Sequence, residues 1–504
     1  ARSSARWVSS NTRMTDPSAL AGVLEALPRS RVLVVGDVML DRFVSGTVER
    51  ISPEAPIPVV RVLSETTMVG GAANVARNVA ALGATAGLVG LCGDDSAGAA
   101  LKGQLANLKG LDSGVVIEPG RVTTEKTRYV GGSQQLLRAD REVATPPAPA
   151  SASKLLASLG DRAKGAGAIV ISDYAKGVVS APVIAKVLAD AKAARVPVLV
   201  DPKGRDFRRY SGATVLTPNA GELAAATGMP VNDDAAVVAA ANVAIANCGV
   251  EAIIATRGAA GMTVVEKDRA PVHLRVRARE VFDVSGAGDT VVATLAAALA
   301  AGATLVQAAE LANVAAGIVV GKIGTAVATN SEVLEGLYAR DLLAAEDKVV
   351  DLASAEERVQ RWRRNGETVA FTNGCFDLVH PGHVSLLNQA RASAQRLVVG
   401  LNTDSSVRRL KGESRPILDE AARATVLASF ATVDLVVPFD DDTPLRLIQT
   451  LRPDVLVKGA DYTVATVVGS DFVQSYGGRV VLATLVPGVS STNIVSRIGA
   501  AKRG

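Results

Sequence analysis

The sequence predicts an α/β protein that is built from two successive domains. Its 504 residues exceed what one hydrophobic core usually serves. Short apolar strands alternate with Ala-rich helical segments, a pattern typical of a mostly parallel sheet with helices on both faces. The alternation stops over the charged stretch 331–365 and then resumes. We therefore expect an N-terminal extension (1–29), a first domain (30–335), a linker (336–365) and a second domain (366–504).

Individual elements follow from the same pattern. The first strand is Arg31–Gly36 (RVLVVG), and Ala181–Ala194 has the periodicity of a helix. Further strands of the first domain are predicted at Ala86–Gly90, Ala168–Ser172, Pro197–Asp201, Thr214–Thr217 and Ala252–Thr256. The segments Pro56–Arg61 and Val122–Arg138 alternate differently and predict a small β-lid. The strand Thr368–Phe371 opens the second domain.

Composition limits the classes of partner. The formal net charge is only +4, and no run of lysine and arginine forms a nucleic-acid-binding arm. No apolar run is long enough for a membrane span, so we expect neither nucleic acid nor a membrane as a partner. The three cysteines, Cys92, Cys248 and Cys375, lack the spacing of a zinc site or a disulfide framework, which fits a cytoplasmic location.

The segment Asp283–Thr290 (DVSGAGDT) is the strongest catalytic candidate in the first domain. Gly286, Ala287 and Gly288 are small enough for backbone N–H groups to approach an anion. The helix that follows points its positive end at the same place. At this junction Asp289 could take a proton from an attacking hydroxyl group. The alternative is an ordinary turn in which Asp289 caps the helix.

A second candidate segment, Val69–Ala84, places two glycines ahead of a helix. Gly70 and Gly71 would let the backbone approach a polar substrate, and Asn74 on the first helical turn could reach its hydroxyl groups. Asp41, at the end of the predicted loop GDVMLD, is a further candidate for hydroxyl recognition. Turn formation and helix capping are the alternative roles for these residues.

Together these segments resemble the ribokinase family of carbohydrate kinases, whose two signatures occur here in the family's order. The resemblance covers about residues 30–330. It implies a ribokinase-like α/β fold, with Asp289 as catalytic base and Gly286–Gly288 as an anion hole. It also implies that Asn219 and Glu222 (in TPNAGE) organise Mg²⁺ and the phosphates of ATP. The residues that it places beside the nucleotide are Thr256, Gly258 and Gly261 (in TRGAAG).

The second domain contains two of the chain's three histidines in one motif, Asn373–His383 (NGCFDLVHPGH). His380 and His383 are three residues apart, and Pro381 suits the first position of a helix. Both imidazoles could therefore donate to phosphate oxygens at a helix N-terminus. Two histidines at this spacing could instead bind zinc, but no third ligand is evident nearby, and we expect no protein-bound metal.

A lysine after a strand (Lys458) and hydroxyl groups at a helix start (Ser491, Thr492) predict further phosphate contacts, and the cations Lys411 and Arg415 lie in a segment that could close over a triphosphate as a loop. Each of them alone is more often a surface or capping residue. With the histidine motif they resemble the HxGH cytidylyltransferase-like family over about residues 366–500. That resemblance implies a Rossmann-like nucleotidyltransferase in which the two histidines stabilise charge in the transition state. It also implies ATP contacts from Thr372, Asn373, Gly374, Phe376 and Asp377.

Nearly the whole chain resembles the bifunctional heptose kinase/adenylyltransferase family of ADP-heptose synthesis. Segments that carry the resemblance include QQLLRAD, SDYAKGV, TNGCFDLVHPGHV and VLVKGADY. It implies that the first domain uses Mg²⁺ and ATP to phosphorylate D-glycero-β-D-manno-heptose 7-phosphate at O1. The second domain would transfer an adenylyl group from ATP to heptose 1-phosphate. A separate phosphatase would act between the two steps, because the chain shows no third catalytic segment.

Two other functions stay open at this point. The first is a kinase/nucleotidyltransferase for another sugar phosphate or another nucleotide base. The second is a regulatory ATP-binding protein with decayed sites, against which the intact Asp289, His380 and His383 weigh. The sequence leaves both a monomer and a homodimer open.

Overall fold

The computed structural model describes residues 15–132, 134–275, 284–322, 324–460 and 462–484. The chain divides into two compact units, Ala1–Leu337 and Tyr338–Gly504. The division falls two residues beyond the predicted end of the first domain, and the predicted domain bounds themselves stay a prediction. No helix within the described ranges is long and apolar enough to cross a membrane.

The first unit is a sheet covered by helices, with a smaller sheet beside it. Its strands are β1 (Arg31–Gly36), β2 (Val38–Ile51), β3 (Pro58–Gly71), β4 (Thr85–Val89), β5 (Leu91–Gly93), β6 (Leu111–Ser113), β7 (Val116–Glu118), β8 (Glu125–Gly131), β9 (Gln134–Arg141), β10 (Ala168–Ser172), β11 (Val198–Asp201), β12 (Val215–Leu216), β13 (Ala252–Thr256), β14 (Met262–Glu266) and β15 (Val272–Leu274). Its helices are α1 (Pro17–Ala26), α2 (Ala72–Ala81), α3 (Ser96–Ala106), α4 (Pro149–Ala163), α5 (Ala181–Ala194), α6 (Ala220–Thr227), α7 (Asp234–Cys248), α8 (Ala287–Ala300), α9 (Leu305–Val319) and α10 (Asn330–Glu346), which crosses the division.

The main sheet has nine strands in the order β15-β14-β13-β12-β11-β10-β1-β4-β6. Neighbours from β6 to β13 are parallel, whereas β14 and β15 run antiparallel. Because side chains alternate along a strand, β1 sends Val32 and Val34 into the core on one face and Leu33 and Val35 into the core on the other. Both faces are therefore covered, and the carboxyl ends of the parallel strands form one edge, where ligands bind in open α/β sheets.

The predicted β-lid is confirmed as a four-stranded sheet of order β3-β2-β8-β9. It is longer than predicted, since β2 and β3 pair from Val38 and Gly71 to Ile51 and Pro58. The loop predicted up to Asp41 is instead strand, and only Asp37 separates β1 from β2. The apolar residues at the start of β2 are buried, which explains why they continue as strand.

Part of the predicted N-terminal extension belongs to the first unit. Asp16 caps α1 by accepting a hydrogen bond from the backbone of Ser18. Leu20 and Leu24 are buried in the main core. Burial of these side chains fixes the helix, because a ten-residue helix is only marginally stable in isolation.

The second unit is a parallel five-stranded sheet of order β18-β17-β16-β19-β20 between helices. Its strands are β16 (Val369–Gly374), β17 (Arg396–Asn402), β18 (Leu435–Phe439), β19 (Val455–Gly459) and β20 (Arg479–Ala483). Its helices are α11 (Leu352–Arg364), α12 (Pro381–Ser393), α13 (Asp404–Lys411), α14 (Glu420–Ala428), α15 (Leu445–Leu451) and α16 (Ser470–Ser475). The predicted Rossmann-like class is confirmed for this unit.

Helix α11 lies inside the predicted linker yet packs into the second unit. Asp351 caps it by accepting a hydrogen bond from the backbone of Ser354. Ala355 and Val359 are fully buried in the core on one side of the five-stranded sheet. This stretch therefore contributes to the second core instead of acting only as a connector.

Candidate active sites

The glycine-rich segment of the first unit lies at the N-terminus of α8. Gly286 caps the helix with φ at +79°, in the left-handed region. A Cβ atom at this position would lie 2.9 Å from the amide nitrogen of Asn74, so only glycine fits without a shift. Ala287 and Gly288 follow on the first turn, and Asp289 comes next, with only 4% of its surface exposed. The predicted anion-binding residues and the predicted base thus occupy one helix terminus.

The Asp289 carboxylate accepts two hydrogen bonds. The Asn74 amide donates to Oδ2 over 2.8 Å, and the Tyr174 hydroxyl donates to Oδ1, also over 2.8 Å. Burial raises the pKa of Asp289 to about 6, and the two hydrogen bonds oppose that rise. A carboxylate with this pKa is ionised at neutral pH. Its pKa is also close enough to the ambient pH for it to accept a proton from a substrate hydroxyl group.

The other predicted substrate residues lie where the lid joins this site. Asp41 is buried in β2 and accepts a hydrogen bond from Arg128 of β8. A Cβ atom at Gly70 would lie 2.3 Å from the Asp41 carboxylate, and one at Gly71 would lie 2.4 Å from a backbone oxygen. The two glycines therefore allow β3 to approach β2 beside Asp41. Asn74 is fully buried and hydrogen-bonded to Asp289, and its predicted contact with substrate hydroxyl groups stays a prediction.

The predicted Mg²⁺ and ATP residues follow β12. Asn219 and Glu222 form a reciprocal capping box at the start of α6, with hydrogen bonds of 2.9 and 3.0 Å. Glu222 also accepts a hydrogen bond of 2.8 Å from Lys203. An isolated parallel bridge joins Asn219 to Thr256 at the end of β13. The structure thus brings these two predicted nucleotide segments together at one sheet edge.

The glycines after Thr256 shape the adjoining turn. Gly258 and Gly261 have φ values of +56° and +86°. A Cβ atom at Gly261 would lie 1.9 Å from the backbone oxygen of Leu274, so the strand pair β14–β15 could not close with a larger residue. The turn therefore requires glycine at 261 and favours it at 258, and the predicted contact of both residues with the nucleotide stays a prediction.

Three polar side chains that sequence reasoning missed surround Asp289. Tyr174 follows β10, Asp201 ends β11, and Lys126 of β8 lies with its ammonium 5.2 Å from the centre of the Tyr174 ring. Burial, and then the charges of Asp289 and Glu222, raise the pKa of Asp201 well above its ordinary value. Tyr174 lies two residues after β10 and Asp201 is the last residue of β11, and this position at the carboxyl ends of parallel strands is the signal that could have found them.

In the second unit, the two motif histidines stack on each other. His380 occupies the N-cap position of α12 without a side-chain capping bond, Pro381 is the first helical residue as predicted, and His383 lies on the first turn. The imidazole centres are 3.9 Å apart with an interplanar angle of 26°. Phe376 packs against His383 with ring centres 5.0 Å apart. The motif therefore presents both imidazoles from one helix N-terminus.

Buried polar atoms without a hydrogen-bond partner concentrate in and around this motif. Nine such side-chain atoms occur among the described residues, and five of them belong to predicted ATP contacts. These five are Thr372 Oγ1, Asn373 Oδ1, His380 Nδ1, His383 Nδ1 and Arg415 Nη2. Because buried polar groups are normally hydrogen-bonded, this concentration marks a site for a polar ligand.

Both imidazoles are neutral near pH 7. Burial, and then the charges of His380 and Lys411, lower the pKa of His383 to about 4. Burial likewise lowers the pKa of His380. A neutral imidazole still donates one N–H, and nearby phosphate charge would raise both pKa values again. The two imidazoles are therefore suited to become protonated when a polyphosphate is bound beside them.

Other predicted ATP contacts of the second unit also have protein partners. Asp377 accepts hydrogen bonds from the Arg415 guanidinium and from the backbone of Ile417, and so anchors the loop after α13. Lys458 at the end of β19 donates to the backbone oxygen of Asn373 over 3.1 Å. These residues lie together as predicted, and in this structure they brace the motif.

The remaining predicted contacts are distributed around the motif. A Cβ atom at Gly374 would lie 3.1 Å from the Phe376 ring, so glycine fits the turn there. Lys411 ends α13, and its charge contributes to the lowered pKa of both histidines. Ser491 and Thr492 lie outside the described residues.

Arg423 of α14 is a further residue of this site. Its side chain is fully buried and donates to the backbone oxygens of Cys375 and Asn402 over 2.7 and 2.8 Å. It also donates to Leu418 over 3.1 Å and to the Asp404 carboxylate over 2.6 Å. Arg423 therefore joins the ends of β16 and β17, and its charge is already paired.

Among the described residues, no group of three or more histidine, cysteine, aspartate or glutamate side chains is placed to hold a metal ion. The carboxylates near Asp289 nevertheless repel each other, since the charges of Asp289 and Glu222 raise the pKa of Asp201. Mg²⁺ commonly binds through one or two carboxylates together with the phosphates of its substrate. The residues present therefore fit Mg²⁺ that arrives with ATP.

Comparison with known protein families assigns each unit. The pattern of the pfkB family of carbohydrate kinases matches residues 29–332. The cytidylyltransferase-like pattern matches residues 371–497. Each matched range contains one of the two sites described above.

Relatives match almost the whole chain. The bifunctional protein HldE of Rhodospirillum rubrum is 57% identical over 97% of this chain and 99% of its own length. The bifunctional protein HldE of Caulobacter vibrioides is 56% identical over 95% of this chain and 99% of its own length. Both units therefore occur together, in this order, in the relatives.

Solved structures support the fold of the first unit. Phosphofructokinase-2 of Escherichia coli, in complex with substrates and products, is 20% identical and has a TM-score of 0.53. A ribokinase-like protein of Agrobacterium tumefaciens is 22% identical and has a TM-score of 0.51. Each covers 62% of this chain and 98% of its own. The chain therefore belongs to the family of bifunctional HldE proteins, and it joins a pfkB-family carbohydrate kinase to a cytidylyltransferase-like nucleotidyltransferase.

Proposed function

We propose that the first unit transfers the γ-phosphoryl group of ATP to O1 of D-glycero-β-D-manno-heptose 7-phosphate. The second unit transfers the adenylyl group of ATP to heptose 1-phosphate and releases pyrophosphate. The chain is thus a bifunctional enzyme of ADP-heptose biosynthesis. The observation that carries this proposal is the buried Asp289 carboxylate at the α8 N-terminus, in a chain that also presents stacked histidines at the α12 N-terminus.

In the kinase reaction, Asp289 is the general base. It takes the proton of the sugar hydroxyl while the bond from that oxygen to the γ-phosphorus forms and the bond to the ADP oxygen breaks. The backbone of Gly286–Gly288 and the positive end of α8 stabilise the charge on the transferred group. Asp41, Gly70, Gly71 and Asn74 form the sugar side of this site.

The nucleotide side of the kinase site lies beside β12 and β13. We assign ATP to the edge that carries Asn219, Glu222, Thr256, Gly258 and Gly261. Glu222, together with the nearby Asp201, is suited to hold Mg²⁺ carried by the ATP phosphates. When bound, the ion would neutralise charge on those phosphates. The Lys203 ammonium, which now pairs with Glu222, would then lie beside the phosphates as well.

In the adenylyl transfer, an oxygen of the sugar phosphate attacks the α-phosphorus of ATP, and the bond to pyrophosphate breaks. No covalent enzyme intermediate forms. His380 and His383 donate hydrogen bonds to the phosphate oxygens as negative charge moves onto them. Lys411, Arg415 and Lys458 supply further positive charge, and the buried polar atoms of Thr372 and Asn373 face the same ligand. An open surface depression beside His380 and Ser385 is the place that we assign to the sugar phosphate.

One partner enzyme and a cellular location complete the proposal. The product of the first step carries phosphate at both O1 and O7, so a separate phosphatase must remove the O7 phosphate before the second step. The described cysteines are all free, which fits a reducing compartment, and we place the enzyme in the cytoplasm.

The proposal is tested by supplying the full chain with heptose 7-phosphate, ATP and Mg²⁺. We expect one ADP for each bisphosphate formed, and ADP-heptose with pyrophosphate only after the phosphatase is added. Heptose 1-phosphate supplied directly should bypass the first step. Turnover of another sugar phosphate but not of heptose 7-phosphate would contradict the substrate, and absence of any ATP consumption would contradict catalysis.

A further inference from the structure

Tyr174 lies in the loop after β10, on the sheet edge that carries the kinase site. Its hydroxyl donates to Oδ1 of Asp289 over 2.8 Å, while Asn74 occupies Oδ2. We propose that Tyr174 is a positioning residue of the kinase, which holds the Asp289 carboxylate in one orientation and keeps it ionised. This inference rests on the proposed role of Asp289 as the base.

The backbone around Tyr174 is fixed by a buried carboxylate. Asp37 accepts hydrogen bonds from the backbone nitrogens of Tyr174, Lys176 and Val178 over 2.9, 3.0 and 3.0 Å. Ala175 has φ at +56°, a left-handed conformation that is uncommon outside glycine. Such conformations persist where the surroundings over-determine the chain, often at functional sites. The loop is therefore held in the one shape that brings the hydroxyl to the base.

The Tyr174 hydroxyl acts as a donor. Burial, and then the charge of Asp289, raise the pKa of the Tyr174 phenol well above its ordinary value, so the phenol keeps its proton. An ionised carboxylate has about four acceptor positions, and Tyr174 and Asn74 use two of them. Asp289 can therefore accept the sugar hydroxyl without losing either donor.

Charged groups on three other elements also face this carboxylate. Asp41 of β2 raises the pKa of Asp289, and Lys126 of β8 lowers it. Asp201 of β11 is close enough for its own pKa to be raised by Asp289. Removing the Tyr174 hydroxyl leaves these charges in place and takes away one of the two donors that favour the ionised base. The pKa of Asp289 should then rise.

The test is the pH dependence of kinase kcat in Tyr174→Phe, with the full chain and both substrates saturating. Activity needs the ionised base, so it rises with pH through the pKa of Asp289. We expect the acidic limb to move up by about one pH unit, since a hydrogen bond to a charged group is lost. At high pH kcat should return towards the wild-type value. Tyr129→Phe, which removes a hydroxyl from β8, is the matched control, and adenylyl transfer should be unchanged in both variants.

A second replacement at the same position keeps the test independent of folding. 3-Fluorotyrosine at position 174 has a more acidic phenol and donates more strongly, so it should move the acidic limb down. Opposite shifts from two replacements of one residue cannot arise from misfolding. A limb that stays in place, or a kcat lowered by the same factor at every pH, would overturn the positioning role.

Two variants distinguish an error in the role of Tyr174 from an error in the role of Asp289. If Asp289→Asn is inactive as a kinase but the limb of Tyr174→Phe does not move, the inference about Tyr174 is wrong and the base assignment stands. If Asp289→Asn phosphorylates the sugar at nearly the wild-type rate, the proposed base itself is wrong.

Discussion

Replacing Asp289 with asparagine should stop the kinase and, at the same time, stabilise the first unit. Burial raises the pKa of this carboxyl from 3.8 to about 6, so the folded protein binds its proton more tightly than the unfolded chain does. The stabilisation that protonation provides is complete below pH 3.8 and is lost as pH rises through about 6. At pH 8 the ionised group therefore lowers the free energy of unfolding by about 3 kcal/mol relative to a neutral one.

An asparagine at this position can keep both hydrogen bonds. Its amide oxygen can accept from Asn74, and its NH₂ group can donate to the Tyr174 oxygen once that hydroxyl rotates. At about pH 8 the variant should therefore recover most of the ~3 kcal/mol that the ionised carboxylate costs the wild type. Its kinase rate should fall by about 10²–10⁴ through loss of the base, with adenylyl transfer unchanged.

The assay is thermal unfolding of the full chain at several pH values between about 5 and 8, followed through the transition of the first unit. The melting temperature of Asp289→Asn should exceed that of the wild type by several degrees at the upper end of this range, and the gain should shrink towards the lower end. Asp161→Asn, an exposed change on α4 with 76% side-chain exposure, is the control and should shift the melting temperature little. A variant that melts below the wild type at high pH, or a gain that does not depend on pH, would refute the reasoning.

Three further predictions concern the second unit and the connection. His383→Ala should lower kcat for adenylyl transfer by about 10²-fold, with little change in kinase rate or melting temperature. Zinc chelators should have little effect. Undiminished pyrophosphate release would remove His383 from the mechanism. Cleavage within α10, after Tyr338, should give two soluble fragments with one activity each, and insolubility of both would mean that they share a core. Arg423→Met should lower the free energy of unfolding of the second unit by about 3–5 kcal/mol, because backbone oxygens lose their donor and Asp404 loses its partner; denaturant unfolding measures this. A stable Arg423→Met protein with weak ATP binding would instead make Arg423 a nucleotide ligand.

The sequence predicts the central strands of the main sheet well because they are buried on both faces. β1, β10 and β13 have the predicted bounds. Each is a continuous apolar run, and the polar residues or glycines that flank such a run mark where a strand buried on both faces begins and ends. The predicted extension and linker, in contrast, contain α1 and α11, which pack into the two cores. Their burial depends on single apolar faces, Leu20 with Leu24 and Ala355 with Val359, whose partners are distant in sequence.

The site residues also fall into two groups: those that lie within one sequence motif, and those that the fold brings together from distant parts of the chain. The glycines before Asp289 and the paired histidines lie within single motifs, so the sequence predicts them directly. Tyr174 is 115 residues from Asp289, and Arg423 is 48 residues from Cys375, the most distant residue to whose backbone oxygen it donates. Neither separation leaves a local pattern, and only the rule that parallel strands end at one edge would have pointed to Tyr174.

The single residue between β1 and β2 has a mechanical consequence. Asp37 joins the rigid main sheet to the lid, its backbone oxygen accepts a hydrogen bond from Ala72 at the start of α2, and its carboxylate holds the loop of Tyr174. The connection between the main sheet and the lid is therefore short and fixed by hydrogen bonds. Asp37 connects the lid to the main sheet and also holds the loop whose tyrosine donates to Asp289. The orientation of the lid and the alignment of Asp289 therefore depend on the same residue.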